Sequence, residues 1–261
     1  MVDAMIMAGA MNDGALQESS SEKYEALIEI AGRPMVEYVL QAVQEARTID
    51  RVAMIGPASE LREKLDLQAD FYVEGGNSLL HNMRRGAEEL GSQGPIFIIT
   101  SDIPLITSEA IDDFVEKAQA RPAEVYYSLV NQKACEKTFP GMERTYVRLK
   151  EGTFTGGNMA MIESDIIINC SEDMSKFFDY RKSVLRLGRL LGPNILMRFA
   201  LGRLKMAQIE KRVRKTTGYD GAGIFSNHAE VAFDVDKPSD MDLATHFLEQ
   251  GIKEGAPGEK K

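Results

Sequence analysis

The sequence predicts an α/β fold, in which a mostly parallel central sheet is covered by helices and a basic helical insertion arrives late in the chain. Three observations predict it. Apolar runs of four to seven residues alternate with longer amphipathic stretches, the order that strands and helices of an α/β domain produce. Within the first 110 residues that order is strand, helix, strand, helix, which implies parallel strands with both faces covered and ligands at their carboxyl ends. From residue 171 to 217 the pattern turns helical throughout, with leucines interleaved among arginines.

Taken in order, a strand at 4–8 stops on the small and turn-forming residues of AGAMNDG. A helix at 34–45 opens on Pro34, tolerated because a first-turn N–H has no partner, and Val36, Val39, Leu40 and Val43 recur at helical spacing. Strands are expected at 52–55 and 96–100, and helices at 58–64, 79–90 and 108–117. Further strands fit 125–130, 146–149 and 159–162. Gly192-Pro193 breaks the late helical stretch into two pieces. A last helix at 239–250 takes Ser239 as its N-cap. The expected organisation is an α/β domain over 1–170 and 218–252, the insertion over 171–217, and a flexible polar tail at 253–261.

Composition narrows the function. The chain has 261 residues, 44% hydrophobic and 27% charged, enough for a large buried core. It lacks a run of 18 apolar residues and a basic, apolar leader, so a cytoplasmic location is the expectation. Cys135 and Cys170 have neither metal-ligand spacing nor a nearby histidine, and read as free thiols. His81, His228 and His246 form no triad or metal pattern, and surface or packing roles are expected of them. A formal charge of -9 argues against a nucleic-acid partner. The charge is uneven, because residues 180–215 hold eleven Lys or Arg against the single Glu210. That basic, leucine-rich stretch fits peripheral contact with an anionic membrane, or an ordinary helical subdomain or homodimer face with a solvated basic side.

Five clusters could carry chemistry. The loop AGAMNDG after the first strand could cradle an anion on its backbone N–H groups, with Gly9 and Gly14 giving close approach or positive φ, or could be only a bend. In TSDIPLIT, Asp102 falls at a strand's carboxyl end, where it suits a divalent metal or the cap of a turn. In VAFDVDKPSDM, Asp234 and Asp236 alternate along an extended piece and point the same way, as a metal pair or as a solvated loop. In EGGNSLLHNMRRG, Gly75-Gly76 turn the chain and Asn77 or Ser78 caps a helix whose free N–H groups could meet a nucleotide. In FTGGNMAMI, Gly156, Gly157 and Asn158 form a bend before a strand, fit for a ligand against the backbone or for a turn alone.

The order of the opening loop, GRPMVEYVLQA, GGNSLLHNMRRG, TSDIPL, GGNM and DVDKPSDM resembles the nucleotidyltransferases of GT-A-like, Rossmann-like fold, and most of all the MobA-like NTP transferases. The resemblance covers about residues 1–165 and 220–250. It implies transfer of a nucleoside monophosphate from an NTP to a phosphorylated small-molecule acceptor, with release of pyrophosphate. Mg²⁺ is then the implied cofactor, held by Asp102 and Asp236, with Asp234 as an alternate ligand. Nucleotide contacts are implied at Ala8, Gly9, Ala10, Asn12, Gly14, Gly76, Asn77, Ser78 and Asn82. Acceptor contacts are expected at Gly156, Gly157 and Asn158 and at Arg144, which in RTYVRLK either approaches an anionic acceptor or is one of the alternate solvent-facing charges of a strand.

The match departs from the family at the cations. Members usually carry Gly-x-Gly-x-x-Arg-Met in the first loop and a Pro-Lys pair ahead of the next glycine; here the loop reads AGAMNDGAL and the lysine's place holds Glu25. A carboxylate facing a triphosphate repels it. Lys23, two positions away on the same side of an extended segment, is the expected catalytic substitute. The departure keeps a second class open, a non-catalytic nucleotide- or sugar-phosphate-binding or regulatory protein on the same fold.

Overall fold

A computed structural model describes residues 1–76, 78–169 and 192–250. The expectations for Asn77, Cys170, most of the insertion (171–191) and the tail lie outside the described residues. The chain opens with β1 (Val2–Met7), then a small hairpin of β2 (Glu29–Ile30) and β3 (Arg33–Pro34) that leads into α1 (Met35–Glu45). Next come β4 (Ile49–Gly56), α2 (Ala58–Lys64), β5 (Phe71–Glu74), α3 (Leu79–Leu90), β6 (Pro95–Thr100) and α4 (Ser108–Gln119). The second half runs through β7 (Val125–Asn131), α5 (Gln132–Thr138), β8 (Val147–Leu149), β9 (Gly152–Glu163) and α6 (Ser164–Ile168). It closes with α7 (Pro193–Ala200), α8 (Met206–Thr217), β10 (Gly221–Ser226) and α9 (Pro238–Gln250).

The main sheet runs β10-β7-β9-β6-β1-β4-β5, with β8 paired to β9. β5, β4, β1 and β6 are mutually parallel, as are β7 and β10, whereas β9 is antiparallel to both of its neighbours. The fold is therefore the mostly parallel, helix-covered sheet that the sequence predicts. Burial of both faces explains why its strands are apolar throughout: along β1, Ala4 and Ile6 enter one core and Met5 the other. Phe97 and Ile99 of β6 likewise face the first core, and Ile96 and Ile98 the second. α1 and α4 cover the first face, through Val36, Val39, Leu40, Val43 and the ring of Phe114, while α3 and α6 cover the second. Each such fully buried side chain contributes roughly 1.5–3 kcal/mol of apolar burial.

Several boundaries differ from expectation for local reasons. β9 begins at Gly152, well before the predicted 159, because its glycine-rich first half pairs with β7 and β8 instead of ending in a bend. The last helix starts at Pro238, so Ser239 lies inside its first turn and is not the cap. The Asp240 carboxylate serves that end, accepting from the backbone N–H groups of Asp236 and Lys237 at 3.2 Å each. Of the expected insertion, α7 and α8 pack as a third small core, in which Ile195 and Leu204 meet Leu149 and Phe154 of β8 and β9. Among the described residues no helix is long and apolar enough to cross a membrane.

Candidate functional site

The candidate site lies where β4, β1 and β6 end side by side. Met7 of β1 is in register with Ile55 of β4 on one side and Thr100 of β6 on the other, so the residues just beyond them share one level of the sheet. Two glycine-dependent contacts shape this end. A Cβ on Gly56 would lie 2.5 Å from the Ala8 carbonyl oxygen, so only glycine lets the two strand ends approach this closely. The Gly75 N–H donates to the Gly56 carbonyl at 2.8 Å, which brings the 75–76 turn onto the same surface.

Asn82, buried on α3, fixes that turn with both arms of its amide: Oδ1 accepts from the Gly76 N–H at 2.7 Å and Nδ2 donates to the Gly76 carbonyl at 3.0 Å. Ser78 caps the same helix through the His81 N–H at 3.4 Å. Residues 10–12 are tied to a second segment: Met11 bridges Tyr24, the Asn12 N–H donates to Lys23 and the Glu25 N–H donates to Ala10. The Asn12 amide donates to the carbonyls of Ser20 and Glu22 at 3.0 and 2.9 Å, while its buried Oδ1 has no partner. Beside it opens a depression of about 530 Å³ lined in part by Met11, Asn12, Gln17 and Lys23. Lys23 is exposed, with its ammonium 4.9 Å over the Tyr24 ring. Gly14 has φ -109° and open space around it, so the expected need for glycine there does not arise.

The acidic residues converge. Asp102 follows β6, and its carbonyl accepts the Val235 N–H at 2.9 Å, which ties the extended stretch 233–236 to the end of β6. Asp102, Asp234 and Asp236 each offer a carboxylate oxygen within 4.8 Å of the others, although more than a hundred positions of sequence separate the first from the rest. The Thr100 hydroxyl donates to Asp102 Oδ1. Arg144, in the loop between α5 and β8, donates to Asp234 Oδ1 and to the Gly156 carbonyl, the latter at 3.3 Å. Burial raises the Asp234 carboxyl to about 6; Arg144 opposes the rise, and the charges of Asp102 and Asp236 add to it. Three hard oxygen donors that repel one another are the donor set a divalent cation such as Mg²⁺ takes.

The residues expected to touch an acceptor hold this centre from behind. A Cβ on Gly157 would lie 2.5 Å from Ser128 Oγ and 2.7 Å from Val231 Cγ1, and one on Gly156 would lie 2.8 Å from the Tyr127 hydroxyl. Asn158 Nδ2 donates to the Val231 carbonyl at 3.2 Å. β9 thereby seats the turn at Ala229–Ala232, from which Asp234 and Asp236 emerge. Sequence reasoning did not single out Gly56, Thr100 or Ser128. A glycine ending an apolar strand was the available signal for Gly56, whereas a lone Thr or Ser carries none.

A sheet of this order, with glycine-built ends beside a carboxylate cluster, is the architecture of a nucleotidyltransferase. A hypothetical transferase from Thermus thermophilus superposes with TM-score 0.80 at 30% identity, covering 92% of this chain and 100% of that one. The fold is shared more distantly with CMP:2-keto-3-deoxy-manno-octonic acid synthetase complexed with CTP, at TM-score 0.62 and 12% identity over 95% of this chain and 99% of that one. The chain belongs to the MobA-like NTP transferase domain family, which matches residues 21–164. Among curated proteins, the bifunctional protein GlmU of Enterococcus faecalis is 31% identical over 111 residues, which is 40% of this chain and 23% of that protein. This chain thus spans about a quarter of the length of the GlmU relatives it matches.

Proposed function

We propose that the protein is a Mg²⁺-dependent nucleotidyltransferase that moves a nucleoside monophosphate from an NTP to a phosphorylated small-molecule acceptor. The observation that carries the reading is the convergence of Asp102, Asp234 and Asp236 beside the ends of β1 and β6. Asp102 and Asp236 hold the ion, and Asp234 stands beside them. Bound there, Mg²⁺ supplies charge to offset what develops on phosphate oxygens. The nucleotide lies across Ala8, Gly9, Ala10, Asn12 and Gly14 and against Gly76, Ser78 and Asn82, with Lys23 supplying a cation to the triphosphate. The acceptor approaches on the Arg144 side of the three carboxylates, with Gly156, Gly157 and Asn158 supporting that side from behind through Tyr127, Ser128 and Val231. An acceptor phosphate is already anionic near neutral pH, so it attacks the α-phosphorus without a general base. One acceptor oxygen–phosphorus bond forms, the bond from the α-phosphorus to the bridging oxygen breaks, and pyrophosphate leaves.

Pyrophosphate release should be measured with each NTP, Mg²⁺ and a panel of phosphorylated metabolites. Release is expected for at least one pair, with Asp102→Asn and Asp236→Asn each lowering the rate about a hundredfold or more. Silence across the panel, together with no NTP binding by calorimetry, would remove the enzyme reading. The competing reading, a non-catalytic binder, draws on Glu25, whose backbone is pinned to Ala10 at the first loop. It requires nucleotide or sugar-phosphate affinity that survives Asp102→Ala and Asp236→Ala without pyrophosphate release.

A second reading concerns the basic helices. Met197 of α7 and Leu201, which caps its C-terminus, are 57% and 60% exposed, and Ile195 of the same helix is buried. Exposed Arg198, Arg203 and Lys205 flank them. An apolar pair among cations on an otherwise acidic protein suits the surface of an anionic membrane. Co-sedimentation with phosphatidylglycerol vesicles at low salt, lost in Met197→Ser/Leu201→Ser, is the expected result. Equal pelleting with phosphatidylcholine vesicles, or none with either, would count against it.

A further inference from the structure

Two consecutive residues of the loop between α5 and β8 reach the stretch that carries the late aspartates. Arg144 donates to Asp234 Oδ1 and, at 3.3 Å, to the Gly156 carbonyl, which commits its guanidinium to the protein. Glu143 accepts from Lys237 Nζ at 2.9 Å. The two pairs differ in burial: the side chains of Arg144 and Asp234 are 16% and 8% exposed, whereas those of Lys237 and Glu143 are 43% and 83% exposed. The inner pair is a fixed part of the centre, and the outer one is a surface ion pair of small net strength. Lys237 directly follows Asp236, and the Asp240 carboxylate accepts its backbone N–H at 3.2 Å. Its backbone is therefore held while its ammonium, on a flexible four-carbon stem, can turn to another anion.

We propose that Lys237 is the cation that takes the acceptor's phosphate, exchanging Glu143 for it. The inference rests on the transferase reading above, in which the acceptor approaches on the Arg144 side. A phosphate arriving from that side faces carboxylates that repel it, and it needs a cation not already engaged by the protein. Arg144 is engaged with Asp234 and Gly156, and Lys23 stands at the first loop, beside Asn12 and Tyr24. Lys237 follows the aspartate at the edge of the centre, and its partner is a carboxylate that water already reaches. A phosphate dianion offers that ammonium a stronger charge-assisted hydrogen bond than a wet carboxylate does. Glu143 competes with the phosphate for the ammonium and repels an arriving anion. Removing Glu143 thus favours anion binding, and removing Lys237 opposes it.

Binding of inorganic phosphate to the full chain at fixed Mg²⁺, followed by calorimetry and by phosphorus NMR line width, tests the exchange without an activity assay. Lys237→Met is expected to weaken phosphate binding about tenfold or more, the range for loss of a hydrogen bond to a charged group, and Lys237→Arg to retain it. Glu143→Gln is expected to tighten it about two- to fivefold, as far as release from a surface ion pair allows. The double variant should bind like Lys237→Met, because without the ammonium there is nothing for Glu143 to compete for. Lys23→Met should weaken NTP binding and leave phosphate binding at the wild-type level. A pair that merely braces the loop would weaken binding in both single variants. That result, or a larger loss in Lys23→Met than in Lys237→Met, overturns the inference while the transferase reading still stands or falls by pyrophosphate release. No phosphate bound by the wild type overturns the inference as well. The sign of the Glu143→Gln effect decides the matter even if Lys237→Met does not fold.

Discussion

His228 sits where α4 meets the turn that delivers the two late aspartates. Its Nδ1 lies 3.3 Å from Glu230 and its Nε2 3.9 Å from Asp113, which Lys117 also pairs at 2.7 Å. Thr107, the N-cap of α4, donates to Glu230 at 3.1 Å. The hydrogen bond to Glu230 raises the imidazole's pKa; burial opposes this, the charges of Glu230 and Asp113 add to it, and Lys117 subtracts. A raised histidine stabilises the folded state in full below its unfolded pKa, and that contribution fades as pH rises through the folded value. Wild-type stability over His228→Gln should therefore be greatest near pH about 6 and shrink toward pH about 8. Urea midpoints at fixed ionic strength across that window give the answer, and a gap independent of pH would refute the ion pair. Read from sequence, His228 had only a surface or packing role. Its partner Asp113 is distant in the chain, and a lone histidine carries no sign of what faces it.

At the scale of elements, the strand ends decide what the loops can do. Gly56→Ala would drive a methyl into the Ala8 carbonyl at 2.5 Å, backbone against backbone, so one of two paired strands has to move. We expect it to cost roughly 1–3 kcal/mol and to weaken nucleotide binding. Gly14→Ala, at φ -109° with no atom within 4 Å, should leave stability unchanged. Denaturant unfolding and NTP calorimetry on the two variants test the contrast, and equal effects would mean that the close approach of β1 and β4 does not matter. The long periodic elements were legible: α2 and α3 fall on the predicted residues, and α1 differs by one. β5 and β10 were not, because FYVE is only four residues long and GAGIFS is diluted by two glycines. Neither shows the apolar run by which a buried strand is recognised.

At the scale of the whole molecule, β9 joins the two halves of the sheet. Its antiparallel run between β6 and β7 carries Gly156, Gly157 and Asn158 behind the turn at Ala229–Ala232. It thereby sets the distance between the end of β6 and the stretch 234–236. α7 and α8, the described part of the predicted insertion, cover the β8–β9 side through Ile195 of α7 and Leu204 of the link between them. The sequence by itself determined the α/β class, the order of strand, loop and helix in the first half, and the residue types able to bind phosphate and metal, since these follow from local periodicity and side-chain chemistry. Only the tertiary structure decided that Asp102 meets Asp234 and Asp236, that Arg144 answers one of them, and that Gly56, not Gly14, is the glycine the loop depends on. Contacts across a hundred residues depend on the register of strands that are neighbours in space and not in the chain, and a single sequence carries no local signal of that register.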